Sequence, residues 1–214
     1  LHGNPHYTAM LPELIKLSKK WLVIRAVGRP VTVCRLRCNV ASVTMPAYPE
    51  KVVHMENLTT LYIDKEKHKF SAAHYTIFSA TERERLHGHN YSVSMRLVAP
   101  IGDNGFSADY NVYKNRLAGL CEALDEYMVL AGDSPHQRIE EAGNSYRVFF
   151  ADEEMLFLRS DTLVLPLRNA TVEEFSRYLL QQLLAASAGE DLREVELFVA
   201  SGPGQKASAT WRQA

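Results

Sequence analysis

The chain has 214 residues, 46% hydrophobic and 23% charged, with a formal net charge of −1 at pH 7. That is enough for one globular domain with a proper core, or one domain plus an extension. No apolar run approaches the roughly 18 residues needed to cross a bilayer, so no membrane partner is expected.

The charge is unevenly spread. Residues 1–54 hold eight Lys/Arg and two Asp/Glu, against sixteen and twenty-three in residues 55–214. A domain with that acidic balance is a poor binder of phosphate backbones, which sets nucleic acid aside as a main partner. The cysteines, Cys34, Cys38 and Cys121, are odd in number and sparse. They argue against a disulfide framework and fit a reducing compartment, so a cytoplasmic location is expected. Cys34 and Cys38 have no His or Cys partners at zinc-finger spacing.

Within residues 1–54, one helix is predicted over Leu11–Val27, ending at Gly28, and Arg29–Pro49 has no sustained period. The segment reads as a non-functional or disordered extension. Its basic, acid-poor composition makes a transit peptide the alternative. The chain opens on Leu1, as a fragment or an upstream-extended reading frame does, and Met55 stands just before the first patterned segment. The patterned domain is therefore taken as residues 55–214.

Leu61–Tyr75 reads as a strand with Phe70, Ala72 and His74 on one face. His87–Val98 is the clearest strand, with His87, His89, Tyr91, Val93, Met95 and Leu97 alternating with Asn90, Ser92, Ser94 and Arg96. A turn at Gly102–Gly105 leads to Asp109, which opens a helix with Tyr110, Tyr113, Leu117, Leu120, Leu124 and Tyr127 on its apolar face and Cys121 at the edge of the core. Strand candidates at Tyr146–Phe150, Met155–Leu158 and Thr162–Leu165 form an excursion before a second helix. Thr171 and Glu174 are spaced as a capping box for that helix, and Phe175, Tyr178, Leu179 and Leu183 are its buried stripe. Strands at Glu194–Ala200 and Ala207–Arg212 close the chain. This order predicts an α+β fold, with both helices on one face of an antiparallel sheet.

His87-Gly88-His89 puts two imidazoles on one face of a strand, because side chains repeat every second residue. Side by side on an apolar face, they repel if protonated. A divalent cation removes that conflict, since neutral imidazole is a good zinc ligand. His74 supplies a third nitrogen if the two strands pair antiparallel. Three protein ligands leave one coordination position open, as in catalytic zinc sites. The alternative is a set of core or turn histidines with Gly88 serving a bulge. His68 shares the parity of His74 but lies six residues earlier, too far to join it, and His136 in its Ser-Pro-His loop reads as a surface residue.

Phe70-Ser-Ala-Ala-His74, Leu86-His87-Gly88-His89-Asn90-Tyr91 and Ala108-Asp109-Tyr110, opening a helix that reaches Leu124-Asp125, resemble the 6-pyruvoyltetrahydropterin and 6-carboxytetrahydropterin synthase family. Asn169-Ala-Thr171-Val-Glu173 resembles its Thr-rich entry to the second helix, and Gly202-Pro-Gly-Gln205 the loop between its last strands. The resemblance runs from about Leu61 to Trp211. It implies the tunnelling fold, with sheets joined into a barrel by homo-oligomerisation, typically a hexamer, and sites at subunit interfaces. It also implies zinc on His74, His87 and His89, and a small-molecule pterin substrate, 7,8-dihydroneopterin triphosphate. Carried over by position, Glu84 and Asp125 take catalytic roles and Thr171 and Glu173 contact substrate, although Glu173 also reads as first-turn helix decoration favoured by the helix dipole.

Three departures qualify that picture. Members that form the pyruvoyl or carboxy product carry a cysteine shortly before His-Gly-His, whereas here Glu84 stands three residues before His87. That resembles the branch that yields 6-hydroxymethyl-7,8-dihydropterin, although Glu84 also reads as a solvated charge among Glu82, Arg83 and Arg85. The family's Asp-His pair is Asp125-Glu126, and its pterin-anchoring glutamate falls at Ala200 or Ser201. The expected activity is a zinc-dependent lyase. The alternatives are 6-carboxytetrahydropterin formation for queuosine synthesis and a non-catalytic, zinc-stabilised oligomer.

A chain beginning at Met55 is expected to fold and assemble as the full chain does. Insolubility of that truncation, or a changed assembly by light scattering, would make residues 1–54 structural.

Overall fold

The protein is described here by a computed structural model covering residues 56–214. The predicted helix at 11–27, the domain boundary at 54/55, Cys34 and Cys38 fall outside the described residues. Among the described residues, no helix is long and apolar enough to cross a membrane.

Two long strands form the centre. β1 (Leu58–His74) pairs antiparallel with β2 (His87–Pro100), and β2 pairs with β8 (Glu194–Gly202), which pairs with β9 (Gln205–Arg212), also antiparallel. On the other side of β1 lie β3 (Tyr127–Ala131) and β7 (Thr162–Leu165), each pairing in parallel. The six-stranded sheet has the order β7-β3-β1-β2-β8-β9 and is mixed, which corrects the expectation of a purely antiparallel one. The excursion between the helices both starts and ends in this sheet. Its middle, β4 (Gln137–Ala142), β5 (Ser145–Phe150) and β6 (Glu153–Leu158), forms a separate three-stranded antiparallel sheet.

The helices α1 (Tyr110–Glu122) and α2 (Val172–Ala186) cover the apolar face of the large sheet, as the α+β reading anticipates. Phe70, Tyr91, Val93, Met95, Leu97, Val195, Leu197 and Val199 alternate along the strands and meet Leu117, Phe175, Leu179 and Leu183 from the helices. Each such fully buried side chain contributes about 1.5–3 kcal/mol relative to exposure. A second cluster, with Tyr75, Ile77, Met128, Leu130, Val148 and Phe150, joins the small sheet to the ends of β1 and β3.

Three local expectations are corrected. α1 stops at Glu122, Glu126 takes a left-handed conformation (φ 65°), and Tyr127 begins β3 instead of extending the helical stripe. Tyr110 is 50% exposed and contributes little to the core. At α2, the Thr171 side chain accepts from Glu174 N (3.5 Å), but Glu174 does not reciprocate. Its carboxylate accepts from Arg168 N (2.8 Å) and pairs with Arg177, one turn on, a stronger charge-assisted partner than a cap amide.

Candidate metal centre and its cavity

The register of β1 on β2 sets His74 directly opposite His87, and Ala72 opposite His89. All three imidazoles share the helix-facing side of the sheet, with ring centroids 4.6–5.2 Å apart. Gly88 makes no bulge here, because it pairs in register with Ala73. A Cβ at Gly88 would lie 3.2 Å from the Ala72 carbonyl oxygen, a tight approach that glycine avoids. β1 does break its register between Asp64 and Lys69. This turns His68 under α1, where its Nε2 lies 3.1 Å from the Lys114 carbonyl, well apart from the other three. His136 is exposed.

Backbone carbonyls orient two of the rings. His74 Nδ1 donates to Ala170 O (2.7 Å) and His87 Nδ1 donates to Arg85 O (2.8 Å). Each bond leaves the Nε2 lone pair free, the arrangement in which a metal-binding histidine is held by its outer shell. His74 Nε2 is buried without a hydrogen-bond partner among the described residues, and His87 Nε2 lies 3.0 Å from His89 Nε2. One ring nitrogen from each histidine lies within 4.8 Å of the other two. Tetrahedral zinc with bonds of about 2.0–2.1 Å places its ligand nitrogens about 3.3 Å apart, inside that range. Burial, reinforced by His87 and His89 and opposed by the Ala170 carbonyl, lowers the pKa of His74 and favours the neutral ligand form.

The cavity over the histidines, about 270 Å³, is also lined by Thr76, Glu84, Tyr91, Thr171, Val172, Glu173, Ser201 and Gln205. Glu84, Thr171 and Glu173 thus stand beside the histidines. Glu84 Oε2 lies 4.0 Å from His87 Nε2 and accepts from Thr76 N (3.1 Å). Burial pushes its pKa up, but hydrogen bonds from Thr76 and the nearby histidines hold it below the ordinary carboxylate value. Burial, with Glu84 adding, pushes the Tyr91 phenol up. Asp125 is elsewhere. Its carboxylate accepts from Ser71 N (2.6 Å), and neighbouring Glu126 lines a different cavity with Ser71, Asn90 and Asp161.

The loop carrying Glu84 is anchored twice. Asn169 accepts from Ile77 N (3.0 Å) and donates to Ile77 O (2.8 Å). Arg83 donates to Glu84 O (2.9 Å), pairs with Glu153 of β6, and sits over the rings of Tyr75 and Phe150. The sequence reading missed Asn169, Arg83, Tyr91 and Gln205 as parts of the site. Strand parity with His87 and His89 was the signal that pointed to Tyr91.

A model of the family described as 6-pyruvoyl tetrahydropterin synthase matches residues 62–210. The chain belongs to that family. It is an enzyme family of tetrahydropterin synthases, and the fold agrees with solved members. The chain is 28% identical to the 6-pyruvoyl tetrahydropterin synthase of Plasmodium vivax, covering 73% of this chain and 99% of that one, with a TM-score of 0.70. For the Plasmodium falciparum synthase the identity is 26%, the coverage the same, and the TM-score 0.69. Among curated relatives, the proposed 6-carboxy-5,6,7,8-tetrahydropterin synthase of Pyrococcus abyssi is 27% identical over 152 residues, 70% of this chain and 88% of its own. Its Methanocaldococcus jannaschii counterpart is 24% identical over 143 residues, 65% and 87%.

The donor set predicts one divalent cation bound per chain. His74→Ala, and separately a His87→Ala, His89→Ala double variant, should lose most of that metal by elemental analysis. Full occupancy in the double variant would rule out the site.

Proposed function

We propose that the protein is a zinc-dependent lyase that cleaves the side chain of 7,8-dihydroneopterin triphosphate to release 6-hydroxymethyl-7,8-dihydropterin. The observation that carries this reading is the Glu84 carboxylate, 4.0 Å from a ligand nitrogen of the histidine cluster, in a cavity with no thiol among its lining residues. Cys121, the free cysteine among the described residues, is buried on the inner face of α1, is not among the residues lining the cavity, and cannot serve there. Support comes from two Plasmodium vivax synthase structures in which a glutamate named as the catalytic residue is replaced by Cys or Ala; both are 27% identical to this chain, with TM-scores of 0.69.

Three imidazole nitrogens select zinc over the oxygen-seeking cations, and the metal would supply Lewis-acid polarisation of the substrate's side-chain oxygens. Glu84, ionised at neutral pH, takes the proton from the hydroxyl on the second side-chain carbon. The bond between the first and second side-chain carbons breaks, and the second becomes an aldehyde that keeps the triphosphate. The electron pair passes to the first carbon and the pterin ring conjugated with it. Glu84 then returns its proton to the first carbon, which keeps its hydroxyl. No net oxidation or reduction occurs and no outside reagent is consumed. Thr171 and Glu173, at the start of α2, hold the pterin edge in this reading.

Asp125 fits a role across a subunit boundary, because in its own chain it is tied to Ser71 and stands away from the histidine cavity. Among the described residues, β7 and β9 end the large sheet with unpaired edges. Soluble proteins rarely leave such edges bare, and pairing them in a homo-oligomer, a hexamer by family analogy, would cover both. A cytoplasmic location accords with this chemistry.

A second reading, 6-carboxytetrahydropterin formation, is favoured by the names of the two archaeal relatives. Among the described residues no thiol lines the cavity to serve it. The non-catalytic reading is favoured by Ala200 and Ser201 standing where the family's acid would anchor the pterin, Ser201 lining the cavity without a charge.

Glu84→Gln keeps the shape of the side chain and removes the base. It should lower turnover of 7,8-dihydroneopterin triphosphate by roughly 10²–10⁴-fold and leave zinc content unchanged. Activity equal to that of the parent protein would remove Glu84 from the reaction.

A further inference from the structure

Tyr91 is 1% exposed, and its hydroxyl is buried with no hydrogen-bond partner among the described residues. Buried hydroxyls are nearly always paired, and one that is not calls for a physical reason. Packing is no reason. The ring stacks on Phe70 (centroids 4.9 Å apart) and meets Phe175 edge-on (5.2 Å), surroundings that suit phenylalanine equally well. The same ring stands edge-on to His74 (5.9 Å) and His89 (5.7 Å), and Tyr91 lines their cavity together with Glu84.

That cavity therefore holds two unspent polar atoms of opposite kind. His74 Nε2 is a lone pair, and a cation accounts for it. The phenol offers a proton, which a cation repels and only an acceptor atom can take. No protein atom among the described residues supplies that acceptor, and within reach of the histidines and Glu84 the reacting side chain of the substrate brings oxygens that can.

We propose that the Tyr91 hydroxyl donates a hydrogen bond to a side-chain oxygen of the substrate seated over the three histidines, making Tyr91 a substrate-binding residue of this site. This rests on the functional reading above. The ligand class is a polyhydroxylated or keto side chain, and a substrate lacking the oxygen would leave the phenol unpaired and bind less well.

The test compares zinc-loaded wild-type protein with Tyr91→Phe, which keeps the ring and removes the hydroxyl. Without substrate the variant should melt no lower than wild type, since no protein bond is lost. With 7,8-dihydroneopterin triphosphate, kcat/KM should fall roughly 10- to 100-fold, the usual worth of a hydrogen bond to a polar or charging oxygen. Zinc content should be equal. Three results would overturn the proposal: unchanged kcat/KM beside an active wild type, a melting point lower by more than about 3 °C, which marks a structural bond, or lost zinc, which makes the phenol oxygen a metal ligand. An inactive wild type whose melting point the substrate does not raise would overturn the functional reading and this proposal with it. It is told apart from the other failures because it is seen without any substitution.

Discussion

The pairing of β1 with β2 places His74 opposite His87, and the two-residue period of the strand brings His89 to the same buried face. Everything chemical about the site follows from that register. A slip by one residue would send His87 and His89 to the other side of the sheet, away from the helices. The arrangement carries a cost that a bound metal would offset. A buried ring nitrogen without a partner costs about 1–3 kcal/mol, and His74 Nε2 is such an atom. The carbonyls of Ala170 and Arg85 fix two rings in the tautomer that aims the free nitrogen inward. Ala170 lies just before α2, so the residue leading into the helix that closes the core also orients His74.

The second requirement is a loop that holds a carboxylate beside the histidines. The Glu84 backbone and side chain both bond to Thr76, and Asn169 and Arg83 hold the two ends of the loop. The Arg83–Glu153 pair alone is a weak anchor: Glu153 is 55% exposed, and exposed pairs give about 0–1 kcal/mol. Arg83 itself is only 17% exposed, over Tyr75 and Phe150, so packing carries most of that attachment. The three-stranded excursion thus does more than lengthen the chain. Its apolar cluster and its glutamate brace the loop that bears Glu84.

Much of this was legible in the sequence, because the residues concerned obey a clean local period. The histidine strand alternates without fault, and the loop glutamate stands at a fixed distance from His87. β3 was not legible. Met128–Ala131 are all buried, since one face meets the main core and the other the small sheet, and a parallel strand covered on both faces has no alternation to read. Tyr127, three residues after Leu124, mimicked another helical step, and the left-handed turn at Glu126 leaves no mark that an acidic residue would betray. β4, Gln-Arg-Ile-Glu-Glu-Ala, is too polar to announce itself. The capping box failed for a nonlocal reason, because Arg177 and the Arg168 amide compete for Glu174. The position of Asp125 depends on its bond to Ser71 in β1, 54 residues away, a contact that spacing along the chain does not encode.

The central claim is that a carboxylate, not a thiol, moves the proton in a three-histidine metal site. The identity of the product tests it most directly. Zinc-loaded protein incubated with 7,8-dihydroneopterin triphosphate, with products resolved by mass, should yield 6-hydroxymethyl-7,8-dihydropterin and a two-carbon aldehyde that retains the triphosphate. A tetrahydropterin bearing a pyruvoyl or carboxy group as the main product would contradict the account.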